Sequence, residues 1–111
     1  MSCCSEESGI IQRGTTTTNI FEVEKDLTGA SVVFVTYEQG GKTVLEKTLD
    51  DGVSIVSSEQ ITVALTQTDT LALNEHYPVK IQIRAKFPSG SAVASFTMDA
   101  TVGEILKEGE I

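Results

Sequence analysis

Residues 79–87 constrain this chain more than any other stretch. Val79, Ile81, Ile83, Ala85 and Phe87 are apolar, and Lys80, Gln82, Arg84 and Lys86 between them are polar. That period of two belongs to a β-strand with one face buried, whereas a helix would spread the same apolar positions around its circumference. After Pro88-Ser89-Gly90 the alternation resumes, with Ala92, Ala94, Phe96 and Met98 on one face and Ser91, Val93, Ser95 and Thr97 on the other. The two stretches read as the arms of a hairpin. A two-residue turn at Ser89-Gly90 pairs Phe87 with Ala92, Ile83 with Phe96 and Ile81 with Met98, and keeps every apolar residue on one face. A three-residue loop of Pro88, Ser89 and Gly90 sets Ile83 against Ser95 and turns one arm's apolar set outward, unless a bulge restores it. The even loop is therefore expected.

The rest of the chain speaks in the same idiom. Residues 1–9 are polar, lack either period, and are expected to form a flexible tail ahead of a single domain at residues 10–111. Ile10, Ile11 and Gln12 suit a short first strand. The threonine run at 15–18 favours extended backbone leading into Ile20, Phe21 and Val23, with Phe21 and Val23 facing the core and Glu22 and Glu24 facing water. Asp26-Leu27-Thr28-Gly29 carries turn chemistry. Val32, Val33, Phe34 and Val35 are apolar on both faces, as in a central or covered strand. Gly40-Gly41 turns into an arm at residues 43–48 that carries Glu46 and Lys47 and reads as a sheet edge. Asp50-Asp51-Gly52 is a turn, and Val53 and Ile55 make a short strand. Ile61, Val63 and Leu65 alternate with Thr62, Ala64 and Thr66. Thr66 and Asp69 have capping-box spacing, which predicts one helical turn over residues 67–71 that crosses between layers. Residues 102–106 form a last short strand or an exit segment. About seven or eight short strands with one helical turn predict an all-β, immunoglobulin-like antiparallel β-sandwich.

Composition narrows the function classes. A chain of 111 residues is one domain's worth and buries roughly two-thirds of its unfolded surface. No apolar run approaches the ~20 residues that a membrane-spanning helix needs. The N-terminus lacks the basic and apolar regions of a secretory signal peptide. Sixteen acidic against eight basic residues, a net charge of -8, leave no excess of cations to replace the counterions of a nucleic acid. Cys3 and Cys4 are adjacent, so they cannot staple distant strands. With His76 they fall short of the ligand set that a zinc site requires.

Catalytic residue types are sparse. His76 is the sole histidine and sits in a loop before Tyr77-Pro78. Ser89 and Ser91 belong to a turn rather than to a nucleophile elbow. Asp50-Asp51-Gly52 lacks the alternating ligands of a calcium loop. The carboxylates of Glu22 and Glu24, or of Asp50 and Asp51, would need a cleft to separate their pKa values. Without Trp, only Tyr37 and Tyr77 offer aromatic platforms to a glycan. No catalytic, metal or cofactor residue is assigned.

Several motifs follow in a distinctive order. They are Arg13-Gly14-Thr15-Thr16, then Asp26-Leu27-Thr28-Gly29-Ala30 ahead of an apolar strand, then Gly41-Lys42 with Val44-Leu45-Glu46-Lys47. The strand Ile61-Thr62-Val63-Ala64-Leu65 runs into Thr66-Gln67-Thr68-Asp69-Thr70, and Tyr77, Ile81-Gln82 and Ser89-Gly90 come after it. This order resembles the N-terminal domain of baseplate upper proteins of phages and prophages of Gram-positive bacteria, over about residues 10–106. The resemblance implies a non-catalytic β-sandwich without cofactor, docked in the virion to other tail or baseplate proteins and self-associating. The alternative is a free-standing module binding glycan or peptide through Tyr37 or Tyr77, and an enzyme comes third.

Overall fold

A computed structural model describes residues 10–23, 25–95 and 97–111. The expected N-terminal tail with Cys3 and Cys4, the outward Glu24 and the Ile83–Phe96 pair lie outside the described residues. Along the chain come β1 (Ile10–Gln12), β2 (Thr17–Glu22), β3 (Val32–Gln39), β4 (Lys42–Leu49), β5 (Gly52–Ser57), β6 (Gln60–Leu65), α1 (Gln67–Leu71), β7 (Val79–Lys86), β8 (Ala92–Ala94) and β9 (Met98–Gly103). The strands are hydrogen-bonded in the order β1-β9-β7-β3-β4-β5-β6-β2, and β8 pairs with β7 off this path. The protein is all-β with one short helix.

The path folds over on itself. Val33, Val35 and Tyr37 of β3 and Val79, Ile81, Ile83 and Ala85 of β7 share one core with Phe21 of β2 and Ile61, Val63 and Leu65 of β6. The Tyr37 hydroxyl donates to Asn19 Oδ1 at 2.7 Å, joining β3 to β2, which stand far apart in the strand order. Two layers therefore face each other, with β2, β6 and β5 in one and β4, β3, β7, β9 and β1 in the other. Burial alternates along β7 from Val79 to Lys86 without a break, as its sequence requires.

The layers meet at a corner. β4 touches β5 only through Thr48 with Gly52 and Leu49 with Val53, in parallel sense. A true parallel pair needs a long crossover, so this short contact is a change of layer rather than a ladder. Gly52 makes the corner possible. Its φ is +101, and a Cβ there would lie 3.1 Å from the Ala64 carbonyl oxygen and 3.3 Å from Lys47 Cδ. The second departure from antiparallel pairing is β1, which runs parallel to β9 with Ile11 opposite Val102.

The hairpin register differs from the even-loop expectation. Lys86 pairs with Ala92, Ala85 with Val93 and Arg84 with Ala94. The connection is the three-residue loop, closed by Phe87 N–H to the Ser91 carbonyl at 2.8 Å and Gly90 N–H to the Phe87 carbonyl at 2.9 Å. Val93, not Ala92 or Ala94, is consequently the partly buried residue that packs on the core. Ile81 nonetheless faces Met98 as expected, because the second arm is interrupted between β8 and β9. At the break, Ser95 N–H donates to the Ile83 carbonyl at 2.8 Å, and Ser95 Oγ accepts from the Ile83 N–H at 3.0 Å. The interruption resets the phase, as a bulge would.

Helix α1 forms where the capping box places it. Thr66 Oγ1 accepts from the Asp69 N–H at 3.1 Å, and Asp69 Oδ2 accepts from the Thr66 N–H at 2.9 Å. Asp69 Oδ2 also meets Lys47 Nζ at 2.7 Å, both side chains being mostly enclosed. Burial pushes the Asp69 carboxyl up, but the hydrogen bonds from Lys47 and Thr66 and the ammonium charge outweigh it, and its pKa lies below the usual value. A depressed carboxyl stabilises the fold above its unfolded pKa of about 3.9 and loses that contribution as pH falls through the lower folded value. Asp69→Asn is accordingly expected to be less stable at neutral pH and to show a flatter decline below about pH 4. Urea midpoints measured from pH 2 to 7 test this; a variant with the parent's acid profile would rule out the pair as its source.

Candidate functional site

The motifs at 13–16 and 66–70 meet at one end of the sandwich. Immediately after β1, Arg13 sends Nε to the Leu73 carbonyl at 2.8 Å and Nη2 to the Leu71 carbonyl at 3.1 Å. These are carbonyls at and just beyond the C-terminal end of α1, where the helix has no N–H donors for them within itself. Nη1 meets Glu75 Oε1 at 3.1 Å and Glu108 Oε2 at 3.1 Å. The hydrogen bond that Arg13 donates to Glu108, helped by both carboxylate charges, holds the guanidinium pKa above its ordinary value against partial desolvation.

Gly14 lets the backbone turn away beside this clamp. Its φ is +75, and a Cβ would lie 3.1 Å from Ile105 Cδ1. Thr15 N–H then donates to Thr70 Oγ1 at 3.1 Å, and the Thr70 hydroxyl returns to the Thr15 carbonyl at 2.9 Å. Thr70 is wholly buried, so the reciprocal pair satisfies polar groups that water does not reach. Gly14→Ala is expected to cost ~1–2 kcal/mol from the left-handed backbone alone, read as a lowered urea midpoint. Unchanged stability would mean that this junction relaxes freely.

Opposite Arg13, Gln39 fastens the loop that follows α1. Its Nε2 donates to the Asn74 carbonyl at 2.7 Å and to the Tyr77 carbonyl at 3.0 Å, and its Oε1 accepts from the Asn74 N–H at 2.9 Å. The result is an open groove of about 350 Å³ lined by Arg13, Ala72, Leu73, Asn74, Glu75 and His76. The segment after β9 runs along the same end. Gln12 Nε2 donates to the Glu104 carbonyl at 2.7 Å, Thr68 Oγ1 to Glu110 at 2.7 Å, and Ile111 N–H to Gln67 Oε1 at 2.9 Å. Arg13 is occupied by two carbonyls and two carboxylates, so an anion entering the groove would have to displace Glu75 and Glu108. The arrangement is built to hold chain segments together.

The residues singled out from sequence are scattered. Tyr37 is fully buried with its hydroxyl committed to Asn19, which removes it as a glycan platform; it shares the phase of Val33 and Val35. Tyr77 is 53% accessible. His76 is exposed, and its N–H closes an Asx turn on Asn74 Oδ1 at 2.8 Å. Ser89 and Ser91 sit at the exposed hairpin tip. Asp50 and Asp51 make the corner turn, with Asp51 N–H on the Thr48 carbonyl at 2.9 Å. Glu22 points outward from β2. Among the described residues, no three His, Cys, Asp or Glu gather as a metal site, and no helix is long and apolar enough to cross a membrane.

Arg13 was visible only as part of a motif, without a role. The one local hint is that it is the sole cation before Lys25, placed between a short strand and a glycine. No protein-family model matches the chain, and no curated protein matches it.

Proposed function

We propose that this chain is a non-catalytic structural protein of a phage or prophage, a tail or baseplate component that acts by assembly with other proteins. The observation that carries the reading is the junction just described. Arg13-Gly14-Thr15-Thr16 and Thr66-Gln67-Thr68-Asp69-Thr70, two motifs on which the family resemblance rests, interlock through Thr15 and Thr70 across 55 residues of sequence. Motifs that meet in one hydrogen-bonded unit are what a shared fold would retain, and this favours the resemblance over a chance run of turn residues. The groove beside this junction is spent on internal clamps through Arg13, in keeping with a protein whose work is to present rigid faces.

Tagged protein expressed beside the open reading frames that flank its gene tests this. Co-purification with products of tail-assembly genes supports the reading, and their absence together with a free-standing monomer counts against it. A glycan- or peptide-binding module is the second reading, now resting on the half-exposed Tyr77. Glycan-array signal lost in Tyr77→Ala would favour it.

A further inference from the structure

One end of the sandwich's β3–β7 outer face is cationic, the opposite outer face carries acids without a cation, and each exposes apolar side chains. On one, Val32 and Phe34 of β3 are each 37% accessible. The register sets Val32 beside Lys86 and Phe34 beside Arg84, with Ala92 and Ala94 of β8 next to those cations. Arg84 and Lys86 are exposed and form no ion pair among the described residues. Farther along β7, Lys80 is paired with Asp99 at 3.3 Å, and the nearest outward acid on β4, Glu46, stands opposite Thr36 rather than Phe34.

The opposite face consists of the outward side chains of β2, β6 and β5. Ile20, Thr62 and Ser54 make one row across it, and Glu22 with Gln60 begins the next. Val56 is 56% accessible, and Glu59 is exposed in the β5–β6 turn. No Lys or Arg occurs at residues 14–24 or 52–79, so this whole layer lacks a cation.

We propose that the Val32, Phe34, Arg84 and Lys86 face of one copy docks on the Ile20, Val56 and Glu59 face of a second copy. The proposal rests on the structural-assembly reading above and names its partner. The argument is complementarity. In a chain of net charge -8, two cations without an ion pair among the described residues stand beside exposed apolar groups, and the cation-free layer on the far side of the same molecule offers acids beside the exposed Val56. Opposite potentials steer and orient such an encounter, and burying the apolar groups holds it together. Because the two faces lie on opposite sides of the sandwich, the contact is heterologous and repeats from copy to copy, closing into a ring or running as a row.

Sedimentation velocity on the full chain over a range of concentration and salt is the test. The parent protein is expected to gain mass with concentration, and less so as salt screens the pair. Arg84→Glu with Lys86→Glu should remain monomeric, as should Val56→Lys with Glu59→Lys. An equimolar mixture of the two variants should associate again, since each then meets an oppositely charged face. All four positions are exposed, and an unchanged thermal midpoint verifies folding. A parent protein that is monomeric throughout, or association that both double variants leave intact, overturns the proposal. A monomeric parent that still co-purifies with tail proteins removes only the second copy as occupant. Charge-dependent association without any tail partner upholds this interface and removes the phage reading.

Discussion

Tyr37→Ala is expected to lower the unfolding free energy by ~3–5 kcal/mol, among the largest losses for any single change in this protein. The ring is fully enclosed, and its hydroxyl is the donor to Asn19 Oδ1 at 2.7 Å, so truncation leaves both a cavity and an unsatisfied amide. Tyr37→Phe separates the two. It keeps the ring and removes only the donor, and should cost ~1–3 kcal/mol because Asn19 is itself buried. Adding Asn19→Val to Tyr37→Phe should recover part of that loss, since removing both partners leaves no orphan. Urea denaturation of the parent, Tyr37→Phe, Asn19→Val and the double variant measures the cycle. A neutral Tyr37→Phe would show that Asn19 finds water and that the inter-layer bond does not tie β3 to β2.

Phe21→Ala is the second large effect, at ~3–5 kcal/mol. Phe21 is completely buried and stands opposite Ile61 in the β2–β6 ladder. β2 ends the strand order, so two outcomes are physically distinct. If β2 belongs to the cooperative unit, the urea midpoint falls while the slope of the transition stays constant, because the area exposed on unfolding is unchanged. If β2 detaches first, the slope falls as well. The enclosure of Phe21 between the layers predicts the first, and a shallower transition would place β2 outside the cooperative core.

Much of the fold was legible because the governing interactions are short in sequence. The capping box needs only Thr66 and Asp69, and α1 spans Gln67–Leu71 as expected. Strand β7 needs only its own alternation. The buried position of Tyr37 was also readable, since it continues the phase of Val33 and Val35, yet its phenol made it look like a surface aromatic. Lys47 misled in the opposite direction. Its arm reads as a solvent-facing edge, but the side chain reaches across the corner to Asp69 and is mostly enclosed.

By itself, then, the sequence determined the all-β class, most of the strands and the helical turn, because periodicity and capping act within a few residues and leave their mark in local composition. It did not determine the split of the second arm into β8 and β9, the last of which ends at Gly103. Tertiary structure alone decided the hairpin register and the Arg13 clamp. In the second arm, alanines flank Val93, and such small side chains distinguish the two registers only weakly. The choice fell to Ser95 against Ile83 and to Met98 against Ile81. Arg13 finds its partners 58 to 95 residues away. No local pattern records which carbonyls and carboxylates will surround a guanidinium once the chain has closed, because that environment comes into being only when the two layers pack.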